Sequence, residues 1–130
     1  MLNIGLGLVD SVVEIAIRAG KEILKVYNTD FKVEIKDDQS PVTEADQIAE
    51  TLILRSIKEG ISDKFRIISE ESAIPTMASE LLGTPFWLVD PLDGTKEFIN
   101  RNGEFTVNIA LIQNSKPVLG VVHIPDKNTT

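Results

Sequence analysis

Phe105-Thr106-Val107-Asn108-Ile109-Ala110-Leu111-Ile112-Gln113-Asn114-Ser115-Lys116-Pro117-Val118-Leu119-Gly120-Val121-Val122-His123-Ile124 is the stretch that decides the fold. Phe105, Val107, Ile109 and Leu111 share one face, and Thr106, Asn108 and Ala110 share the other, the period of two that marks a strand with one buried side. Val118 to Ile124 reads as a second strand. The link Gln113 to Pro117 is so short that the two are expected to form an antiparallel hairpin. Towards the N-terminus, Phe86-Trp87-Leu88-Val89 and Arg66-Ile67-Ile68-Ser69 supply two more apolar runs of strand length.

Before Gly60 the periodicity is helical. From Asn3 to Tyr27, Leu6, Val9, Val13, Ala16, Ile17, Ile23, Leu24 and Tyr27 recur at steps of three and four, with charged residues opposite, which predicts an amphipathic helix. Phe31, Val33 and Ile35 alternate with charges as a half-exposed strand, and Asp37-Asp38-Gln39-Ser40-Pro41 is prone to turn. In the second helix Thr43 is the cap, Asp46 its reciprocal partner, Ile48, Leu52, Ile53 and Ile57 the buried stripe, and Gly60 the stop. Residues 73–83 fit either a loop or a short helix. The expected class is therefore α+β, two helices packed on a mostly antiparallel sheet.

Composition narrows the function. The 130 residues are 42% apolar, enough to bury a core without a disulfide or a metal. There is no Cys, which excludes disulfide scaffolds, thiolate zinc sites and cysteine nucleophiles. Asp plus Glu number 20 against 13 Lys plus Arg, a net charge of −7 that argues against nucleic acid as a partner. No basic leader opens the chain and every apolar run is interrupted by a charge, so a cytoplasmic protein without a transmembrane segment is expected.

The acids gather where strands end. Glu70 and Glu71 follow one predicted strand, and Asp90 and Asp93 follow another. If the two strands are neighbours, these carboxylates converge and require a counter-charge, and oxygen donors suit Mg²⁺, Mn²⁺ or Ca²⁺. In Asp90-Pro91-Leu92-Asp93-Gly94-Thr95, read as a turn, Asp90 and Asp93 can flank one cation with the Leu92 carbonyl as a further oxygen. A helix starting at Gly94-Thr95 would direct its free backbone N–H groups at the same place, a phosphate site. Together these features suit metal-assisted hydrolysis of a phosphate ester.

This combination resembles the inositol monophosphatase superfamily of Mg²⁺-dependent, lithium-sensitive phosphatases. Trp87-Leu88-Val89 before the motif, Lys96 to Leu111 after it, and Ser40-Pro41-Val42-Thr43-Glu44-Ala45-Asp46 upstream are most similar to the bacterial 3'(2'),5'-bisphosphate nucleotidases of the CysQ type. Those enzymes remove the 3'-phosphate of adenosine 3',5'-bisphosphate, a by-product of sulfate assimilation. The similarity runs from the first helix to the strand ending near Ile124. It implies the N-terminal part of a layered αβαβα sugar-phosphatase fold, with Mg²⁺ as cofactor, two or three ions per complete site. It also implies roles. Glu70 and Asp90 would hold the first Mg²⁺ with the Leu92 carbonyl, and Asp90 and Asp93 the second. Thr95, with Glu70 or Asp46, would orient and deprotonate the attacking water, while the N–H groups of Gly94 and Thr95 cradle the phosphate. The resemblance leaves room for peripheral association with the inner membrane.

Each residue has a plainer alternative. Asp46 can be only the capping partner of Thr43, and Glu71 a surface acid, since adjacent strand residues point to opposite faces. Asp90 and Asp93 can be turn residues. His123, on the Leu119 and Val121 side of its strand, is expected to be a packed histidine, Trp87 and Phe86 core residues, and Lys96 and Arg101 solvated. An inositol monophosphatase or sugar-phosphate phosphatase is the alternative within the same chemistry, and a non-catalytic fragment the alternative outside it. Superfamily members run to about twice this length, and their second half supplies a Trp-Asp-containing motif that this chain lacks. Residues 1–130 are thus expected to form the metal-binding α+β domain without the C-terminal αβ domain, and an edge strand left unpaired is expected to favour self-association.

Overall fold

A computed structural model of the chain describes residues 6–28, 33–35, 41–61, 65–69, 85–93, 103–114, 116–127 and 129–130. Helix α1 spans Leu6–Tyr27 and helix α2 spans Glu44–Gly60. The helical period is as expected, but the buried centre of each stripe is rotated. In α1 the buried line is Leu8, Val12, Ile15, Ala16, Ala19, Ile23 and Val26, with Val9, Val13, Leu24 and Tyr27 at its margin. In α2 it is Ala45, Asp46, Ala49, Ile53 and Ile57, with Ile48 and Leu52 moved to the margin. Both apolar arcs are wide, and small side chains settle which line faces inward, because they allow close approach. Gly20 shows how close. A Cβ there would lie 2.8 Å from Cδ2 and 2.9 Å from Nε2 of His123.

Strands β1 (Val33–Ile35) and β2 (Pro41–Thr43) form a small antiparallel pair, so the turn expected through Pro41 ends where β2 begins. Strands β3 (Arg66–Ser69), β4 (Phe86–Asp93), β5 (Thr106–Gln113) and β6 (Lys116–His123) form the main sheet in that order. The β4–β5 and β5–β6 ladders are antiparallel. The β3–β4 ladder is parallel, running from Arg66↔Phe86 to Ser69↔Val89. A parallel pair needs a crossover of a dozen or more residues, which segment 70–85 is long enough to provide.

Two strand boundaries differ from expectation. Gln113, Lys116 and Pro117 belong to strands, with Gln113 paired to Lys116, and Asn114 adopts a left-handed φ of 51°. Pro117 is tolerated because β6 is an edge strand and the ladder is irregular beside it, between Leu111 and Ile112. More consequentially, β4 does not stop at Val89 but runs through Asp93.

Both helices cover one face of the sheet. That face buries Trp87, Val89, Phe105, Val107, Ile109, Leu111, Leu119 and Val121. Tyr27 of α1 meets Phe105 with ring centroids 4.9 Å apart. The opposite face carries Leu88, Asp90, Asn108, Ala110 and Val122, so Phe86, which alternates with Trp87, is only half-buried rather than a core residue.

Candidate metal centre

Asp90 and Asp93 are three residues apart, which in a regular strand would turn them to opposite faces. Here Asp90 pairs with Asn108 and Asp93 with Thr106, and the ladder shifts register between them. Two residues of β4, Pro91 and Leu92, therefore oppose the single residue Val107. That is a β-bulge, and it restores Asp93 to the face of Asp90. Pro91 has no N–H to give the ladder and is at home in such a place. Its neighbour Leu92 is buried in the core and anchors the bulge. Motif residues 90–93, expected as a turn beyond the strand, are thus a bulged strand end.

Asn108 and Thr106 lie opposite the two acids on the same face, and Asn108 Nδ2 donates to Thr106 Oγ1 at 2.8 Å. Neither was singled out from sequence, and their only signal is the alternation that sets them against the buried Phe105 and Val107. A shallow depression of about 170 Å³ opens beside Asp90, bordered by Leu88, Asn108, Ala110, Gly120 and Val122.

Because β3 and β4 are parallel and in register at Ser69↔Val89, both strands end towards the same rim. Ser69 is fully buried, and its hydroxyl donates to Glu50 Oε2 on α2 at 3.1 Å. One turn earlier on α2 stands Asp46, 1% exposed, at the third helical residue after Thr43. Glu50 too was missed from sequence, where the available clue is its i+4 spacing from Asp46.

Glu70, Gly94 and Thr95 lie outside the described residues, as do Glu71, Lys96 and Arg101. Among the described residues no three His, Asp or Glu side chains form a complete cation cluster. Those present nonetheless fit a hard divalent ion. Two carboxylates are brought into phase on one face, flanked by an amide and a hydroxyl, and the chain has no thiol to compete. His123, its single imidazole, lies on the helix-covered face, 2% exposed, with Nδ1 2.8 Å from Thr130 Oγ1. It is a packed histidine, as its strand position suggested. Burial lowers its pKa from 6.5, and a hydrogen bond with the Thr129 backbone opposes that shift.

The model of the inositol monophosphatase family matches residues 8–130. The chain is 48% identical over 120 residues to the 3'(2'),5'-bisphosphate nucleotidase CysQ of Salmonella typhimurium, covering 91% of this chain and 48% of that protein. It is 46% identical over 123 residues to CysQ of Escherichia coli K12, covering 93% and 49%. It therefore spans about half the length of these relatives. Among solved structures, CysQ of Bacteroides thetaiotaomicron superposes with a TM-score of 0.73 at 42% identity, over 92% of this chain and 42% of that one. A Thermotoga maritima IMPase superposes with a TM-score of 0.81 at 27% identity, over 95% and 46%. With two helices on a four-stranded mixed sheet and a family match across nearly its whole length, the chain belongs to the inositol monophosphatase family.

Proposed function

We propose that this chain is the metal-holding N-terminal domain of a Mg²⁺-dependent phosphatase that removes the 3'-phosphate of adenosine 3',5'-bisphosphate, giving AMP and inorganic phosphate. The bulge that sets Asp90 and Asp93 on one face is the observation that carries the chemistry. Support for the substrate class comes from relatives at 46–48% identity that bear the nucleotidase name. On this reading the enzyme works in the cytoplasm on a by-product of sulfate assimilation, and the acidic chain reaches an anionic nucleotide through cations.

Asp90 and Asp93 would hold the cations, joined by Glu70 and the carbonyl of Leu92. Bound there, Mg²⁺ supplies Lewis-acid polarisation of the phosphate and neutralises developing negative charge. The carboxylates contribute by being fixed before substrate arrives, which the bulge and the buried Leu92 achieve. The N–H groups of Gly94 and Thr95 orient the phosphate oxygens. Thr95, with Glu70 or Asp46, holds the attacking water and takes its proton. The water oxygen bonds to phosphorus as the bond to the ribose 3'-oxygen breaks, and the proton taken from the water goes to that leaving oxygen.

An inositol monophosphatase or sugar-phosphate phosphatase is the second reading, favoured by the closer superposition on the Thermotoga IMPase. Phosphate release by this polypeptide with Mg²⁺, from adenosine 3',5'-bisphosphate and from inositol 1-phosphate side by side, separates the two. Slow turnover with preference for the nucleotide is expected. Preference for the inositol ester would overturn the nucleotidase assignment, and release that is independent of Mg²⁺ would overturn the mechanism.

A further inference from the structure

Helix α2 and strand β3 are consecutive, joined by a short connection, and a polar contact links them. Ser69, the last residue of β3 and fully buried, donates its hydroxyl to Glu50 Oε2 at 3.1 Å. From Glu50 the helix continues back one turn to Asp46, roughly 6 Å along its axis. Val89, the ladder partner of Ser69, directly precedes Asp90, and α2 packs on β4. The Ser69–Glu50 contact therefore ties the helix that carries the buried Asp46 to the end of the strand pair that leads into Asp90.

We propose that Glu50 is a positioning residue for the cation site. It touches neither cation nor substrate but, through Ser69, holds Asp46 and Asp90 at one rim. The inference rests on the proposed metal-dependent function. The Glu50 side chain is long enough to reach from the helix to the strand, and its Oε2 is the acceptor that the buried Ser69 hydroxyl uses. Burial of Ser69 adds to the cost of losing it, since the hydroxyl would be left without its partner.

The test reads Mn²⁺ binding by the 130-residue chain, from the paramagnetic resonance signal of free Mn²⁺, beside its metal-free melting transition. Glu50→Ala and Ser69→Ala should each weaken Mn²⁺ binding about 10- to 100-fold, the range found when a group that orients a ligand is removed. The double variant should be no weaker than the worse single one. Glu50→Gln keeps an oxygen acceptor and should stay within about threefold of the parent. Affinity unchanged in Ser69→Ala overturns the proposal, and so does a Glu50→Gln variant as weak as Glu50→Ala. Loss of the metal-free melting transition in either alanine variant also overturns it, in favour of a purely structural role. If the parent chain itself shows no Mn²⁺ binding that Asp90→Asn abolishes, the metal-site reading fails instead, so the two failures are distinguishable.

Discussion

Asp90 and Asp93 share a face only because the backbone between them is irregular. The bulge places them opposite Asn108 and Thr106, so removing either carboxylate leaves half of a donor pair while the anchor Leu92 stays in the core. Asp93 is exposed, and Asp93→Asn should leave the melting temperature nearly unchanged. It should nevertheless lower Mg²⁺-dependent phosphate release about a hundredfold or more, because metal stabilisation of the transition state amounts to several kcal/mol. Activity close to the parent's would remove Asp93 from the site. His123 supports the fold rather than the chemistry. Its pKa in the folded chain lies below the unfolded value of 6.5, chiefly through burial. In the window beneath 6.5 the unfolded chain therefore binds more protons, and stability falls as pH falls until the folded-state pKa is passed. Melting temperatures measured down from pH 7.5 should drop through that window, and His123→Gln should flatten this part of the profile. An unchanged slope in the variant would assign the dependence to other groups.

At the scale of elements, the β5–β6 hairpin turns on Asn114, whose φ of 51° is one that Asn and Gly adopt more readily than other residues. Asn114→Val should cost about 1 to 2 kcal/mol in urea unfolding, and Asn114→Gly little or nothing. Equal losses in both would mean that the side chain, not the backbone, matters there. Elements of this kind were legible in the sequence because their signals are local. Helix α2 begins directly after Thr43 and ends at Gly60, where the sequence signals put its bounds, β3 coincides with the run Arg66–Ser69, and the alternation from Phe105 to Leu111 gives the buried face of β5. What was not legible depends on partners distant in the chain. Nothing local in Arg66–Ser69 says that it pairs parallel to β4, since the crossover lies between them. Pro91 reads as a turn residue until β5 is seen to pair on both sides of it. Wide apolar arcs hide which line of α1 or α2 faces inward. The same division holds at the candidate site: Asp90 and Asp93 stand out by their chemistry, whereas Glu50 and Ser69 look like an ordinary helix acid and strand hydroxyl until the fold brings them together.

The whole molecule is asymmetric about its sheet. One face is sealed by α1 and α2, whereas among the described residues the other exposes Leu88 at 46% and Val122 at 53% at the shallow depression beside Asp90, and Val118 at 41% further along β6. Exposed apolar side chains of this sort favour association, and β6 adds the outer edge of the main sheet. Lys116 and Pro117 blunt only the start of that edge. Opposing association is the net charge of −7, which makes two copies repel at long range. Salt shortens the reach of that repulsion to about 8 Å at physiological ionic strength and about 3 Å at 1 M, while leaving apolar contact intact. Self-association of the isolated chain should therefore rise with protein concentration and with added NaCl, the reverse of an assembly held by ion pairs. Light scattering coupled to size exclusion reads this directly. Val122→Lys places a charge in the middle of the exposed face without touching the core, so it should return the chain to a monomer at an unchanged melting temperature. A parent chain that stays monomeric at every concentration and salt level would show that the open face is too small or too polar to associate. Association that salt dissolves would instead locate the contact among the charged groups of the helices.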